Sequence, residues 1–236
     1  MNSEEWVSAL SRERVTIAPS LLASDFANLE NEIRRLERAD VKVLHIDVMD
    51  GLLVPNITIG PPVVAALRKK TSLKLDVHLM IVKPERYLEA FRRAGADSLS
   101  IHIEAVEEPT PVLRHIRELG AAPGLVLNYG TPVEKILPYA QEADILLTMS
   151  VPAGFGGQKF HADALDSVRA LRRAAREDAL IEIDGGIDVE TIGAAAVAGV
   201  NLFVAGTGVF RADDYRAQID ALASTAYQAL SGATGN

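Results

Sequence analysis

Eight short apolar runs, each rich in Val, Ile and Leu, recur along the chain with helix-patterned segments between them. They span residues 15–23, 41–50, 73–81, 98–104, 122–128, 144–151, 180–186 and 201–210. Strands that are apolar nearly throughout are typical of a parallel sheet that helices cover on both faces. Eight such strand–helix units within 236 residues predict an α/β fold, a closed (β/α)8 TIM barrel that forms a single domain over residues 1–236.

The segments between the runs have helical periodicity. In residues 26–39, Phe26, Leu29, Ile33 and Leu36 recur at the spacing of one helical face, which predicts an amphipathic helix. A short extra helix is expected at about residues 3–11, where it would cover the barrel floor. The alternative architecture is an open doubly wound sheet. It is disfavoured because residues 19–26, PSLLASDF, contain neither a Gly-rich dinucleotide loop nor a Walker A pattern.

Composition excludes several classes of function. The chain has no cysteine, which excludes disulfides, thiolate metal sites and a catalytic thiol. Its net charge of −8 argues against a nucleic-acid partner. No apolar run reaches the roughly 18 residues of a membrane-spanning helix, and residues 1–14 lack the basic start and apolar core of a secretory signal. We therefore expect a cytoplasmic protein without membrane or nucleic-acid partners.

Ligand-type side chains stand near the carboxyl ends of three predicted strands. They are His45 and Asp47 in the second strand, His78 in the third and Asp184 in the seventh. In a TIM barrel these ends form the active-site mouth, and residues two apart in a strand share a face. One buried His or Asp at a strand end is usually just a satisfied polar group. Two imidazoles and two carboxylates at matching ends instead favour a metal or acid–base site, for Zn²⁺, Fe²⁺, Mn²⁺ or Co²⁺.

Glycine-rich segments follow the last three predicted strands, at residues 154–158, 184–186 and 205–208. A single one would indicate only a tight turn. Three at consecutive strand ends predict an anion site, because exposed backbone N–H groups bind phosphate and the loops after strands 7 and 8 commonly do so in these barrels. Thr207 can add a hydroxyl. Met49, Met80 and Met149 near these ends fit either core filling or a dry pocket lining, and His102 fits a structural role as well as a functional one.

Several longer motifs appear together and in order. They read IAPSLLASDFANL (17–29), HIDVMDG (45–51), VPNITIGPPVV (54–64), LDVHLMI (75–81), KPERY (83–87), GFGGQKF (154–160), EIDGGI (182–187) and VAGTGVF (204–210). Over about residues 15–212 the chain closely resembles the ribulose-phosphate 3-epimerase family. The resemblance implies a TIM barrel that interconverts D-ribulose 5-phosphate and D-xylulose 5-phosphate with one divalent metal ion, and that forms a homo-oligomer.

The resemblance also implies a role for each matching position. His45, Asp47, His78 and Asp184 would bind the metal, and Asp47 and Asp184 would be the two acid/base groups. Ser20 and His78 would contact the sugar phosphate. Its phosphate group would be held by residues of the glycine-rich loops, namely Gly154, Phe155, Gly156, Gly157, Gly185, Gly186, Gly206 and Thr207.

The chain departs from the family pattern in the loops. Leu52-Leu53 stand where the family usually has His-Phe, and Pro152-Ala153 stand before the GFGG segment where the family usually has an acidic residue or Asn followed by Pro. Gly206-Thr207-Gly208 replace the usual GSA, and Tyr129 replaces the proline that usually follows Asn128. No ligand or acid–base group is lost. An epimerase of a longer ketose phosphate, such as a hexulose 6-phosphate, is therefore an alternative.

Two further alternatives come from other classes of function. A barrel that binds a sugar phosphate without turning it over would need only the glycine-rich loops, and it would not need the His and Asp set. A metal-dependent lyase or decarboxylase would also form an enediolate. It would want a lysine beside the acids, whereas Lys74 begins its strand at the opposite end of the barrel.

Overall fold

The structure, a computed structural model, describes residues 3–233 and consists of one parallel sheet surrounded by helices. The strands are β1 Thr16–Pro19, β2 Val43–Met49, β3 Lys74–Met80, β4 Ser98–His102, β5 Ala122–Leu127, β6 Ile145–Met149, β7 Leu180–Asp184 and β8 Leu202–Ala205. They pair in parallel from β2 through β8 to β1. A single bridge between Ser20 and His45 joins β1 to β2. The sheet is thus a nearly closed barrel, which confirms the predicted fold class.

The α-helices surround the sheet, most of them as an outer layer. They are α1 Ser3–Ser11, α2 Leu29–Arg38, α3 Pro61–Arg68, α4 Leu88–Ala94, α5 Pro109–Glu118, α6 Ala164–Ala174, α7 Ile192–Ala198, α8 Thr207–Phe210 and α9 Tyr215–Ala233. The main core lies between this layer and the sheet, where side chains such as Ile33, Leu36 and Leu44 are fully buried. Within residues 3–233, no helix combines the length and apolarity that crossing a bilayer requires.

A smaller apolar cluster closes the amino-terminal end of the barrel. Trp6, Val7 and Leu10 of α1 pack there against one residue from each of six strands, Ala18, Val43, Ala122, Ile145, Leu180 and Leu202. Because strand side chains alternate between faces, these residues form the lowest inward-facing layer. The polar residues further along the same strands are consequently directed into the barrel toward its other end.

Three expected elements differ in detail. The helix expected over 26–39 begins only at Leu29, because the Asp25 carboxylate accepts from the Ala27 N–H and starts a separate 3-10 turn that leaves Phe26 44% exposed. The apolar run 201–210 is a strand only to Ala205 and then turns into α8. The connection from β5 to β6 has two 3-10 turns, Val133–Lys135 and Leu137–Tyr139, since Pro138 removes a helical hydrogen bond.

Candidate active site

The four predicted ligand residues meet inside the carboxyl end of the barrel. One donor atom from each of His45, Asp47, His78 and Asp184 lies within 4.8 Å of those of the others. In the register of β2 with β3, Asp47 is directly beside His78. The two-residue spacing directs His45 and Asp47 to the same inner face. The parallel topology therefore gathers side chains that are far apart in sequence.

The donor set fits a divalent cation. Nε2 of His45, Nδ1 of His78 and Oδ1 of Asp47 are each 3.4 Å from the other two. Such pairs are too long for good hydrogen bonds, which span about 2.7–3.2 Å. Nitrogen and oxygen atoms at this separation can all lie about 2.0–2.2 Å from one cation between them. Two imidazoles and two carboxylates also match the preference of first-row transition metals.

Buried carboxyl groups hold the His45 ring. Its Nδ1 lies 2.7 Å from Oδ2 of Asp76 and 3.3 Å from Oε1 of Glu182, and Asp76 also accepts from the Ser98 hydroxyl at 2.6 Å. Burial, and then the charge of Asp76, raise the pKa of Glu182 well above its usual value. The contact with Asp76 places the hydrogen of His45 on Nδ1 and directs Nε2 to the ligand cluster, an arrangement common among metal-binding histidines.

Asp47 and Asp184 have opposite proton affinities. Burial opposes ionisation of Asp47, but the positive charge of His45 and the closeness of the His78 ring lower its pKa far below the usual range. Burial, and then the negative charge of Asp47, raise the pKa of Asp184 to about 7. In the barrel β2 and β7 are separated by β1 and β8. A carboxyl group with a lowered pKa and one with a raised pKa therefore reach one pocket from different sides.

The pocket above the ligands is lined by nearly all the other predicted site residues. The Ser20 hydroxyl donates to Oδ2 of Asp47 at 2.5 Å. Around it lie Met49, Met80, Met149, Asp184, Gly154, Phe155, Gly156, Gly157, Gly185, Gly186, Gly206 and Thr207. The three methionines belong to a buried apolar cluster with Val126 and Leu147. His45 and His78 are fully buried and are absent from the lining of this pocket.

The turn after β7 requires glycine at two positions. Gly185 has φ +119° and Gly186 has φ +62°, in the region that side chains disfavour. A Cβ on Gly185 would lie 2.6 Å from Cγ2 of Val151, and one on Gly186 would lie 2.5 Å from the backbone nitrogen of Phe160. The turn thus brings bare main chain to the pocket wall, which suits a ligand recognised by backbone groups.

Two polar residues lie behind the ligands: His102, for which the sequence left a structural and a functional role open, and Glu104, which the sequence did not single out. Nε2 of His102 lies 2.8 Å from Nε2 of His78, and Nδ1 of His102 lies 3.1 Å from Oε2 of Glu104. The available signal was that His102 also ends a strand.

Of the loop residues that depart from the family pattern, Leu52 is 74% exposed, whereas the Tyr129 hydroxyl donates to Asp163 at 3.0 Å.

Comparisons with known proteins agree with this geometry. The Ribulose-phosphate 3 epimerase family matches residues 16–210. The chain is 47% identical to the ribulose-phosphate 3-epimerase of Bacillus subtilis (strain 168), over 87% of this chain and 96% of that protein. It is 48% identical to the ribulose-phosphate 3-epimerase of Mycobacterium tuberculosis (strain ATCC 25618 / H37Rv), over 87% and 90%. The solved 3-hexulose-6-phosphate synthase from Salmonella typhimurium shares the fold with a TM-score of 0.67 at 18% identity, over 91% and 100%.

Proposed function

The chain belongs to the ribulose-phosphate 3-epimerase family, and we propose that it is a metal-dependent enzyme inverting C3 of D-ribulose 5-phosphate to give D-xylulose 5-phosphate. One observation carries the proposal. The carboxyl groups of Asp47 and Asp184 line a single pocket beside the ligand cluster, and Asp184 holds a proton far more readily than Asp47. Inversion needs a base on one face of the carbon and an acid on the other.

The reaction follows from the acidity of the C3 hydrogen, which lies next to the C2 carbonyl. The Asp47 carboxylate removes that proton. The electron pair of the broken C3–H bond forms a C2=C3 double bond and leaves negative charge on O2. Asp184 then delivers its own proton to the opposite face of C3, and the C2 carbonyl forms again. The reverse reaction uses the two carboxyl groups in exchanged roles.

His45, Asp47, His78 and Asp184 would hold the divalent cation, which when bound supplies Lewis-acid stabilisation of the charge that develops on the sugar oxygens. The remaining residues orient the substrate and exclude water. Ser20 fixes one oxygen of Asp47 through its 2.5 Å hydrogen bond. The glycine-rich loops would hold the 5-phosphate away from C3 and thereby position the carbon between the two acids.

The first test is an epimerase assay on purified protein. Protein loaded with Zn²⁺, Fe²⁺, Mn²⁺ or Co²⁺ is given D-ribulose 5-phosphate, product is followed with a coupling enzyme, and metal content is measured on the same sample. We expect turnover that rises with bound metal. Absence of turnover with all four metals, or equal turnover after complete chelation, would contradict the proposal.

The substrate is tested separately, because the family pattern is altered in the rim loops. Leu52 is 74% exposed in the loop that follows β2, and Tyr129 packs against the methionine cluster. We expect kcat/KM to be higher for the five-carbon ketose phosphate than for a hexulose 6-phosphate. The opposite order would identify the longer sugar as the substrate and leave the acid–base scheme in place.

A further inference from the structure

A third imidazole, that of His102 at the end of β4, lies directly behind the proposed cation ligand His78. The two Nε2 atoms are 2.8 Å apart, and neither ring is more than 1% exposed. Two ring nitrogens at this distance share one hydrogen, so that one donates and the other accepts. The hydrogen positions on His102 therefore decide which nitrogen of His78 keeps a free lone pair.

Glu104 sets the direction of this contact. Its Oε2 lies 3.1 Å from Nδ1 of His102, and its side chain is 21% exposed. Burial opposes its ionisation, but hydrogen bonds, that of His102 first among them, lower the pKa of Glu104 to about 2. An ionised carboxylate only accepts, so Nδ1 of His102 carries a hydrogen and its Nε2 accepts from Nε2–H of His78. Nδ1 of His78, which faces His45 and Asp47, keeps its lone pair.

The other oxygen of Glu104 extends the chain to the glycine-rich loop. The Asn128 N–H donates to Oε1 of Glu104 at 3.0 Å, and Oδ1 of Asn128 accepts from the Ala153 N–H at 3.1 Å. Ala153 immediately precedes the GFGG segment that lines the pocket. Hydrogen bonds thus run without a break from His78 to the loop proposed to hold the phosphate.

We propose that His102 and Glu104 are positioning residues that hold His78 in its cation-binding tautomer, and that Asn128 couples this arrangement to the phosphate loop. The inference rests on the proposed function, from which it takes the ligand set and the loop. Loss of comparable supporting contacts at metal-binding histidines weakens metal affinity about 10- to 100-fold. We expect a weakening of that size here.

The positioning of His78 by His102 and Glu104 is tested by Mn²⁺ binding to the full chain, measured by electron paramagnetic resonance of the free ion. We expect Glu104→Ala and His102→Leu to raise the Mn²⁺ Kd about 10- to 100-fold. Glu107→Ala removes an exposed acid three positions from Glu104 and should bind like wild type. Glu104→Ala carries the test if His102→Leu fails to fold. Nitrogen-15 spectra of the wild type should show His78 with its hydrogen on Nε2.

The coupling of the cation site to the phosphate loop through Asn128 is tested with inorganic phosphate, which can occupy the loop without the rest of the sugar. In the wild type we expect Mn²⁺ to strengthen phosphate binding about fivefold or more. Asn128→Ala should keep the Mn²⁺ affinity and lose this strengthening, whereas Asn128→Asp keeps an acceptor oxygen and should retain it. Unchanged strengthening in Asn128→Ala would overturn the coupling.

The outcomes separate this inference from the proposed function. A wild type that binds Mn²⁺ and turns over, together with a Glu104→Ala variant that binds Mn²⁺ equally well, would overturn the positioning role alone. A wild type that neither binds a divalent cation nor turns over would instead count against the proposed function.

Discussion

At the scale of single residues, the proposed chemistry depends on how burial and neighbouring charges divide protons between two aspartates. Both carboxyl groups are buried, which by itself raises the pKa of each. Asp47 also lies beside two imidazoles, chief among them that of the charged His45, which lower its pKa, whereas Asp184 faces the negative charge of Asp47. The same residue type thus has very different proton affinities at two positions a few ångströms apart, which is the difference that the proposed two-acid inversion requires.

Replacing either aspartate should remove catalysis and leave the fold intact. We expect Asp47→Asn and Asp184→Asn each to lower kcat by about 100- to 10,000-fold, because each removes an acid–base group. Coupled assays and circular dichroism measure the two properties. Asp166→Asn, at a carboxylate 84% exposed on α6, is the matched control and should keep full activity. Wild-type turnover in either active-site variant would rule out its acid–base role.

Cation affinity should depend on pH, since protons compete with the cation for the ligand atoms. Burial and the negative charge of Asp47 raise the pKa of Asp184 to about 7, so below that value its proton competes with the cation for the carboxyl oxygens. The pKa of His45 is also raised, and its Nε2 must be free of hydrogen. We expect the Mn²⁺ Kd to increase by about tenfold or more for each pH unit below about 7. Asp184 should contribute nothing further above that range.

The carbon-13 signal of the Asp184 carboxyl in metal-free protein provides the direct check. It should titrate near neutral pH and be missing in Asp184→Asn. A Mn²⁺ affinity that stays constant from about pH 5 to pH 8 would contradict the assignment of these groups as ligands.

The positions of the four ligand residues were predictable because parallel strands end at one rim, so residue type and strand position sufficed. Their protonation was not, since it depends on contacts such as the one between His45 and Asp76. The sequence also left the role of His102 open. Its contact with His78 depends on the register of β3 with β4, in which His78 pairs with Ser100, two residues before His102. The apolar runs alone do not predict that register.

At the scale of elements, the short strands place side chains around the pocket, and the glycine-containing turns place backbone groups around the same pocket. The apolar runs predicted all eight strands, because a strand that is covered on both faces is apolar nearly throughout and rich in Val, Ile and Leu. Their ends were less predictable. The run ending at Phe210 leaves the sheet after Ala205, and Phe26 is separated from α2 by the cap at Asp25. In both cases local backbone geometry overrides an apolar pattern.

The turn after β7 gives a prediction at this scale. Gly186 and Gly130 both have positive φ, but only Gly186 has backbone atoms in the path of a side chain. We expect Gly186→Ala to lower the free energy of unfolding by at least about 1 kcal/mol more than Gly130→Ala, which carries the conformational cost alone. It should also raise KM. Urea unfolding and steady-state kinetics test this, and equal costs at both positions would contradict the packing at Gly186.

At the scale of the whole molecule, the two ends of the barrel have different roles, one structural and the other in the proposed catalysis. The amino-terminal end is closed by the apolar side chains of α1, and the carboxyl end holds the polar site. This division is typical of TIM barrels, in which stability and catalysis occupy opposite faces. Changes at the floor should therefore affect stability without affecting turnover.

Trp6 tests that separation. It is 2% exposed in the floor cluster, so Trp6→Ala should destabilise the protein by about 3–5 kcal/mol. The melting temperature should fall by about 2–4 °C for each kcal/mol. Trp6→Phe should cost less, because the indole N–H is buried without a hydrogen-bond partner among residues 3–233. Below the melting transition kcat/KM should be unchanged, and a large loss of activity in the folded variant would contradict the division of roles.

The most direct measurement is the fate of hydrogen at C3 during turnover in D₂O. Metal-loaded enzyme is given D-ribulose 5-phosphate, the reaction is stopped early, and deuterium at C3 is measured by mass spectrometry in both sugars. With Asp47 and Asp184 acting from opposite faces, the proton removed is not the one returned. We expect the product to carry solvent deuterium while the remaining substrate keeps its original hydrogen. Product that retains the hydrogen of the substrate would show that one group serves both faces, and would contradict the two-aspartate mechanism.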